Sequence, residues 1–435
     1  MQVLAKLLLG NDEKIGRRNV EWNTLGSFCY AMASMLLTIA VVQMAGADEG
    51  GIFAFAFSTF GQHMFMVAYF GMRPFQITDV RMRFTFGEYL RLRIITCLGA
   101  VIFSLLYLAA SGYSAHKAAV ILLMVLYKVL DGFADVYESE FQRDGRLYLT
   151  GKSNTFRTVL SVAVFLGTLA VTGRLTVACL AAVFAQIAGI VLFDCPVIRY
   201  LPQAVMTVGD GRCVQLFREN IVLFLSVVLD FYVFSAAKYA INACMADRYQ
   251  ALFTAIFMPT NVINLVAGFV IRPYVTAMSD AWDTGDPEGV ARVVRKIFVI
   301  ILALTVLAMG AAYFLGIPVL AMLYPNLRGM LAASRPALLL IILGGAMNAL
   351  INLFYYAIIV MEGKAAIFAG YVASAILAAL ISRPFVRAAG IFGGAFSYLL
   401  LMTALAVFFG LVAVFLVKRG KRELQRPREK KVDYD

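Results

Sequence analysis

IVLFLSVVLDFYVFSAAKYAINACMADRYQALFTAIFMPTNVINLVAGFVIRP, residues 221–273, holds two apolar runs joined by a short polar turn, with Asp230 and Lys238 inside the first run. Each run is long enough to cross about 30 Å of hydrocarbon as a helix. A charge at the centre of such a helix costs about 2.5–3.5 kcal/mol on insertion scales, so it faces a protein interior or a water-filled cavity rather than lipid. The second run carries Pro259, Asn261 and Asn264 and is expected to stop at Ile271-Arg272-Pro273.

That ending has a counterpart. Residues 67–75 and 266–274 share Val, Ala, Phe, Arg and Pro at matching places, and each segment closes the second span of a set of six. The spacing predicts two copies of a six-helix unit, over 1–193 and 221–417, joined by a cytoplasmic linker at 194–220 and followed by a basic, disordered tail at 418–435.

Composition agrees. Hydrophobic residues make up 62% of the chain and charged ones 15%, and the mean hydropathy is +0.82. These values exclude a soluble domain and define an all-α polytopic membrane protein. Apolar runs fall near 24–45, 52–72, 94–110, 118–136, 158–172, 177–193, 221–244, 249–271, 297–315, 336–360, 366–386 and 396–417, which makes twelve spans with both termini on one side. That side holds 29 of the 38 Lys and Arg residues and is therefore cytoplasmic. Topology thus accounts for the net charge of +12, and no nucleic-acid partner is implied. The start of the chain lacks a cleavable signal pattern, so the first span is read as a retained anchor. Cys29, Cys97, Cys179, Cys195, Cys213 and Cys244 have no paired spacing, so neither a disulfide framework nor a metal site is expected. The segment Arg73 to Arg93 mixes Arg81, Arg83 and Arg91 with Phe84, Phe86, Tyr89 and Leu90, a pattern expected of an interfacial helix on anionic lipid.

Candidate functional residues are the polar groups at membrane depth. Lys128, Asp131 and Asp135 recur at helical spacing, with Glu138 three further on, so they share one stripe. Either they line a transport cavity or Lys128 pairs with Asp131 to fix packing. Lys238 lies eight residues, roughly 12 Å, from Asp230, too far to pair with it. It either meets an anionic group or reaches the outer interface. Arg73 and Arg272 end matching spans, where a guanidinium obeys the charge rule and also suits bidentate contact with phosphate. His63 fits an interhelical hydrogen bond. Asn261, Asn264, Asn348 and Asn352 suit sugar hydroxyls or helix contacts equally. Asp131, Asp135 or Asp230 could bind a coupling proton or sodium ion. Gly145 to Ser153 has five residues between its glycines where a nucleotide-binding loop has four, and no strand precedes it, so that reading fails. No catalytic motif, metal spacing or cofactor fingerprint is present, and the chain is read as not an enzyme.

Four pieces carry a resemblance: Gly71-Met72-Arg73-Pro74-Phe75-Gln76; Ile271-Arg272-Pro273; Phe141-Gln142-Arg143-Asp144-Gly145-Arg146-Leu147 through Gly151-Lys152; and Lys238-Tyr239-Ala240-Ile241-Asn242. With twelve spans in two halves, the chain resembles polysaccharide biosynthesis membrane proteins of the O-antigen flippase type, in the multidrug, oligosaccharidyl-lipid and polysaccharide exporter superfamily. Many members have two further spans. The resemblance implies two bundles around a central cavity that opens to either side in turn, and a cargo of undecaprenyl-pyrophosphate-linked oligosaccharide moved from the inner to the outer leaflet. It implies that Lys238, Lys128, Arg73 and Arg272 hold the pyrophosphate and that the lining Asn residues meet sugars. Membrane lipids and glycan-synthesis enzymes are the implied partners. The rival expectations are an ion-coupled multidrug exporter, which needs an acidic cavity, a peptidoglycan-precursor flippase, and a non-transporting scaffold for glycan synthesis. In cells, green fluorescent protein fused after Asp435 should fluoresce and alkaline phosphatase fused there should be inactive; the reverse pair of results would invert the topology.

Overall fold

The computed structural model describes residues 8–9, 15–79, 81–201 and 204–425, with side chains as far as 422. Among these residues the chain is helical with no strand. This is what a bilayer requires, because every backbone N–H and C=O must be satisfied without water. The chain runs through α1 (Ile15–Ala45), α2 (Ala47–Ala54), a π-helical turn (Phe55–Phe60), α3 (Gly61–Tyr69), α4 (Met72–Thr78), α5 (Phe86–Ser111), α6 (Ala115–Arg143) and α7 (Leu147–Thr172). α8 (Leu175–Gly189) continues through a π turn (Ile190–Asp194) into α9 (Cys195–Ile198). Then come α10 (Arg212–Cys244), α11 (Asp247–Asp283), α12 (Pro287–Ala311), α13 (Ile317–Leu323), α14 (Arg328–Ala332), α15 (Arg335–Val360) and α16 (Lys364–Gln425).

Ten helical segments among the described residues are long and apolar enough to cross a membrane. Two features raise this to the twelve expected. α16 is broken at Ala389 and Gly390, where φ reaches +54°. Its two arms run antiparallel, with Phe385 against Phe396 and Tyr371 against Phe409. α6 is excluded by composition only, because of its charged stripe.

The described residues form two compact units: one of residues up to Leu252 with Leu323–Leu327, the other of Phe253–Met322 with residues from Arg328 on. In the first, α1 and α7 approach closely through glycine: a Cβ added to Gly26 would lie 2.7 Å from the Gly151 carbonyl oxygen. Small residues permit such backbone contact in membranes. α10 belongs to this unit, and Phe70 stacks on Phe217 and Phe224 at 5.1 and 4.3 Å. Of the expected linker 194–220, Cys195–Ile198 and the stretch from Arg212 are helical. The basic tail starts as helix through Gln425; residues 426–435 lie outside the described residues.

Two expectations need correction. Residues 73–93 do not form one interfacial helix. α4 ends at Thr78, Asp79 accepts from the backbone N–H groups of Arg83 and Phe84 at 3.0 Å, and Thr85 with Glu88 caps α5. Phe84, Phe86, Tyr89 and Arg93 are wholly buried in protein, not laid on lipid. The shared ending also diverges. After α3 the chain breaks at Phe70 (φ 56°) and Gly71 (φ 64°), whereas α11 runs on through Pro259 and Pro273 to Asp283. Val270 stands where the first copy has Gly71. A β-branched residue strongly resists positive φ, so the second copy stays helical. Gly71→Ala should cost about 1–2 kcal/mol, since an L-residue is strained in the left-handed region and the new Cβ lies 3.2 Å from Leu223. Thermal unfolding of the purified protein checks this, with Gly99→Ala, whose Cβ meets nothing within 4 Å, unchanged or slightly stabilised.

Candidate functional site

The stripe on α6 lies inside the first unit: Lys128, Asp131, Asp135 and Glu138 are all buried. Buried carboxylates are tolerated only when charge partners and hydrogen bonds replace lost water. Three arginines from other helices do this. Arg157 on α7 donates to Asp131 at 3.1 Å, to Glu138 at 2.6 Å and to Asp194 at 3.1 Å. Ser153 also donates to Asp194. Arg73 on α4 donates to Asp135 at 2.6 Å, Glu138 at 3.2 Å and Gln142 at 3.2 Å. Arg93 on α5 donates to the other oxygen of Asp135 at 2.9 Å and to the Ala68 carbonyl at 2.9 Å.

The Ala68 contact follows from the break after α3. Carbonyls in the last turn of a helix lack intrahelical donors, and here the left-handed residues Phe70 and Gly71 end the helix. Arg93 and Thr96 supply the missing donors to Ala68, at 2.9 and 2.8 Å. Arg93, Arg157 and Asp194 sit at the edges of apolar runs, where sequence pattern alone gives no sign that they turn inward.

Lys128 does not pair directly with Asp131. Tyr30 on α1 donates to Asp131 at 2.9 Å, and Lys128 donates to the Tyr30 oxygen at 3.4 Å. The ammonium lies 4.0 Å from the Phe57 ring centroid, a cation–π contact. Among the described residues no carboxylate oxygen lies within 4 Å of Lys128, whereas Asp131, Asp135, Glu138 and Asp194 each accept from a guanidinium. On α10, Lys238 is buried with its ammonium 5.5 Å from the Phe234 ring, and Asp230 is half-buried. His63 shares a 2.9 Å hydrogen bond with Tyr239 and packs on Phe231.

The remaining expected residues lie in the second unit. Asn348 donates to Asn264 at 2.9 Å, and Asn352 donates to the Asn348 carbonyl at 3.1 Å. Asn261 and Arg272 are exposed on α11. Thus Asp131, Asp135, Arg73 and Lys128 come together in one lattice and Asn264, Asn348 and Asn352 in another group. Arrays of fixed charge and hydrogen bonds of this kind bind and orient.

The fold is that of known membrane transporters. No family model matches the chain, and no curated protein does. Among solved structures, the lipid II flippase MurJ in an inward closed conformation superposes with a TM-score of 0.68 at 9% identity, over 92% of this chain and 91% of that chain. An inward-facing multidrug resistance MATE family transporter of the MOP superfamily gives 0.62 at 10%, over 91% and 95%. A Vibrio cholerae MATE transporter, VcmN, in its bent form gives 0.54 at 12%, over 97% and 99%. At these identities the likeness is one of fold.

Arg157→Met should destabilise the protein by about 3–5 kcal/mol, the usual cost of stranding buried charge. Adding Asp194→Asn should recover part of the loss. Thermal unfolding in detergent checks both.

Proposed function

We propose that this chain is a flippase moving an undecaprenyl-pyrophosphate-linked oligosaccharide from the inner to the outer leaflet by alternating access, for cell-surface polysaccharide synthesis. Both termini are cytoplasmic in this reading. The transporter fold supports it, as do the sequence pieces around Arg73, Gly145 and Lys238. The observation that carries it is Lys128: an ammonium at membrane depth contacted by aromatic rings and one hydroxyl, while the neighbouring carboxylates are taken up by arginines. In a cluster whose formal charges balance, this is a cation with no carboxylate oxygen within 4 Å among the described residues, so the site beside it favours an anionic group over an organic cation. An acidic multidrug cavity would draw on Asp131, Asp135 and Asp230, and the first two of these accept from arginine.

Tyr30, half-buried between Lys128 and Asp131, holds the ammonium in place by accepting from Lys128 while donating to Asp131. Lys238 adds a second cation on α10. Neutral groups such as Asn264 and Asn348 suit sugar hydroxyls, and a coupling proton or sodium ion would be taken by Asp131, Asp135 or Asp230. Glycan-synthesis enzymes at the cytoplasmic face supply the cargo. A second reading, flipping of the peptidoglycan precursor, is favoured by the likeness to the lipid II flippase MurJ.

Vesicles reconstituted with the protein and either cargo separate these readings. Lys128→Gln is expected to slow glycan-lipid translocation at least about tenfold, the equivalent of one lost charge contact, with Lys128→Arg partly active. Unchanged transport by Lys128→Gln would overturn the cationic site, and preferential transport of the peptidoglycan precursor would favour the second reading.

A further inference from the structure

We infer that the second unit holds a binding site for one anionic glycerophospholipid at the basic end of its helices. A cleft of about 320 Å³ runs between α12, α15 and the second arm of α16. Its walls are apolar: Phe298 from α12, Phe354 from α15 and Val414 from α16. Gly410 keeps it open, since a Cβ there would stand 3.3 Å from the Phe354 ring. At one end the lining changes character to Arg295, Lys418 and Lys421.

Charge and shape together select the occupant. Arg295 and Lys418 are exposed, and Lys421 reaches Glu288 at 2.5 Å while keeping 41% of its side chain open. The nearby acid Asp286 is engaged by Arg292 at 2.8 Å. An apolar channel capped by cations fits an acyl chain below a phosphate headgroup, as basic pockets between transmembrane helices do. A free anion has no use for the apolar length of the cleft. Phe298 and Val414 are part-exposed on the flank of the helices, at 37% and 53%, so a lipid can enter sideways. By the positive-inside rule this end faces the cytoplasm. The site is separate from the cargo reading and stands without it.

The full-length protein in detergent micelles containing equal dioleoyl phosphatidylglycerol and dioleoyl phosphatidylcholine provides the test, read by native mass spectrometry. One phosphatidylglycerol should be retained in preference to phosphatidylcholine. Arg295→Gln with Lys418→Gln should weaken that retention about thirtyfold, from roughly a fivefold contribution per cation. Gly410→Leu, which fills the cleft and leaves the cations, should abolish it. Val414→Trp, on the exposed wall, does the same should the glycine variant fail to fold. Arg292→Gln, outside the cleft, should bind as the parent does. Undiminished retention in the double variant or in both cleft-filling variants would overturn the site. So would an equal loss in Arg292→Gln, equal retention of the two lipids, or displacement by millimolar inorganic phosphate.

Discussion

The first unit is built around one constraint: four carboxylates and a lysine buried among its helices must be compensated by other side chains. Asp131, Asp135, Glu138 and Asp194 meet Arg73, Arg93 and Arg157. With Lys128 linked through Tyr30, the formal charges balance at four and four. Each guanidinium comes from a different helix, so the lattice ties α4, α5 and α7 to α6. Buried ion pairs are weak evidence for net stability, but they fix register, because a shift of one residue on any of these helices strands a charge.

The same lattice explains the backbone. The break at Phe70 and Gly71 frees the Ala68 carbonyl, and Arg93, already held by Asp135, satisfies it. A helix end and a charge cluster are thereby one structural element.

Much of the architecture was legible in the sequence. Apolar length alone locates the spans. What could not be read was partner choice. Asp131 looks destined for Lys128, three residues away, yet accepts from Arg157, which lies 26 positions along and just ahead of the apolar run at 158–172. The charge rule treats every Lys and Arg near a span end as solvated, and Arg93 and Arg157 break it by turning inward. The shared ending misled about the backbone: the first copy turns at Phe70 and Gly71, whereas the second, with Val270 in place of the glycine, stays helical. Among the neutral candidates, the Asn264 and Asn348 contact follows from residue type, while the exposure of Asn261, one turn away, depends on helix rotation that pattern reading does not resolve.

The stripe on α6 also bears on how the protein is made. A helix with Lys128, Asp131 and Asp135 at its middle partitions poorly from the translocon as a solitary segment, at a few kcal/mol for each charge. α5 emerges before it with Arg93, but Arg157 arrives only with α7. Stable lodging of α6 in the bilayer therefore waits on the helix that follows, which makes this part of the chain integrate as a group rather than one helix at a time.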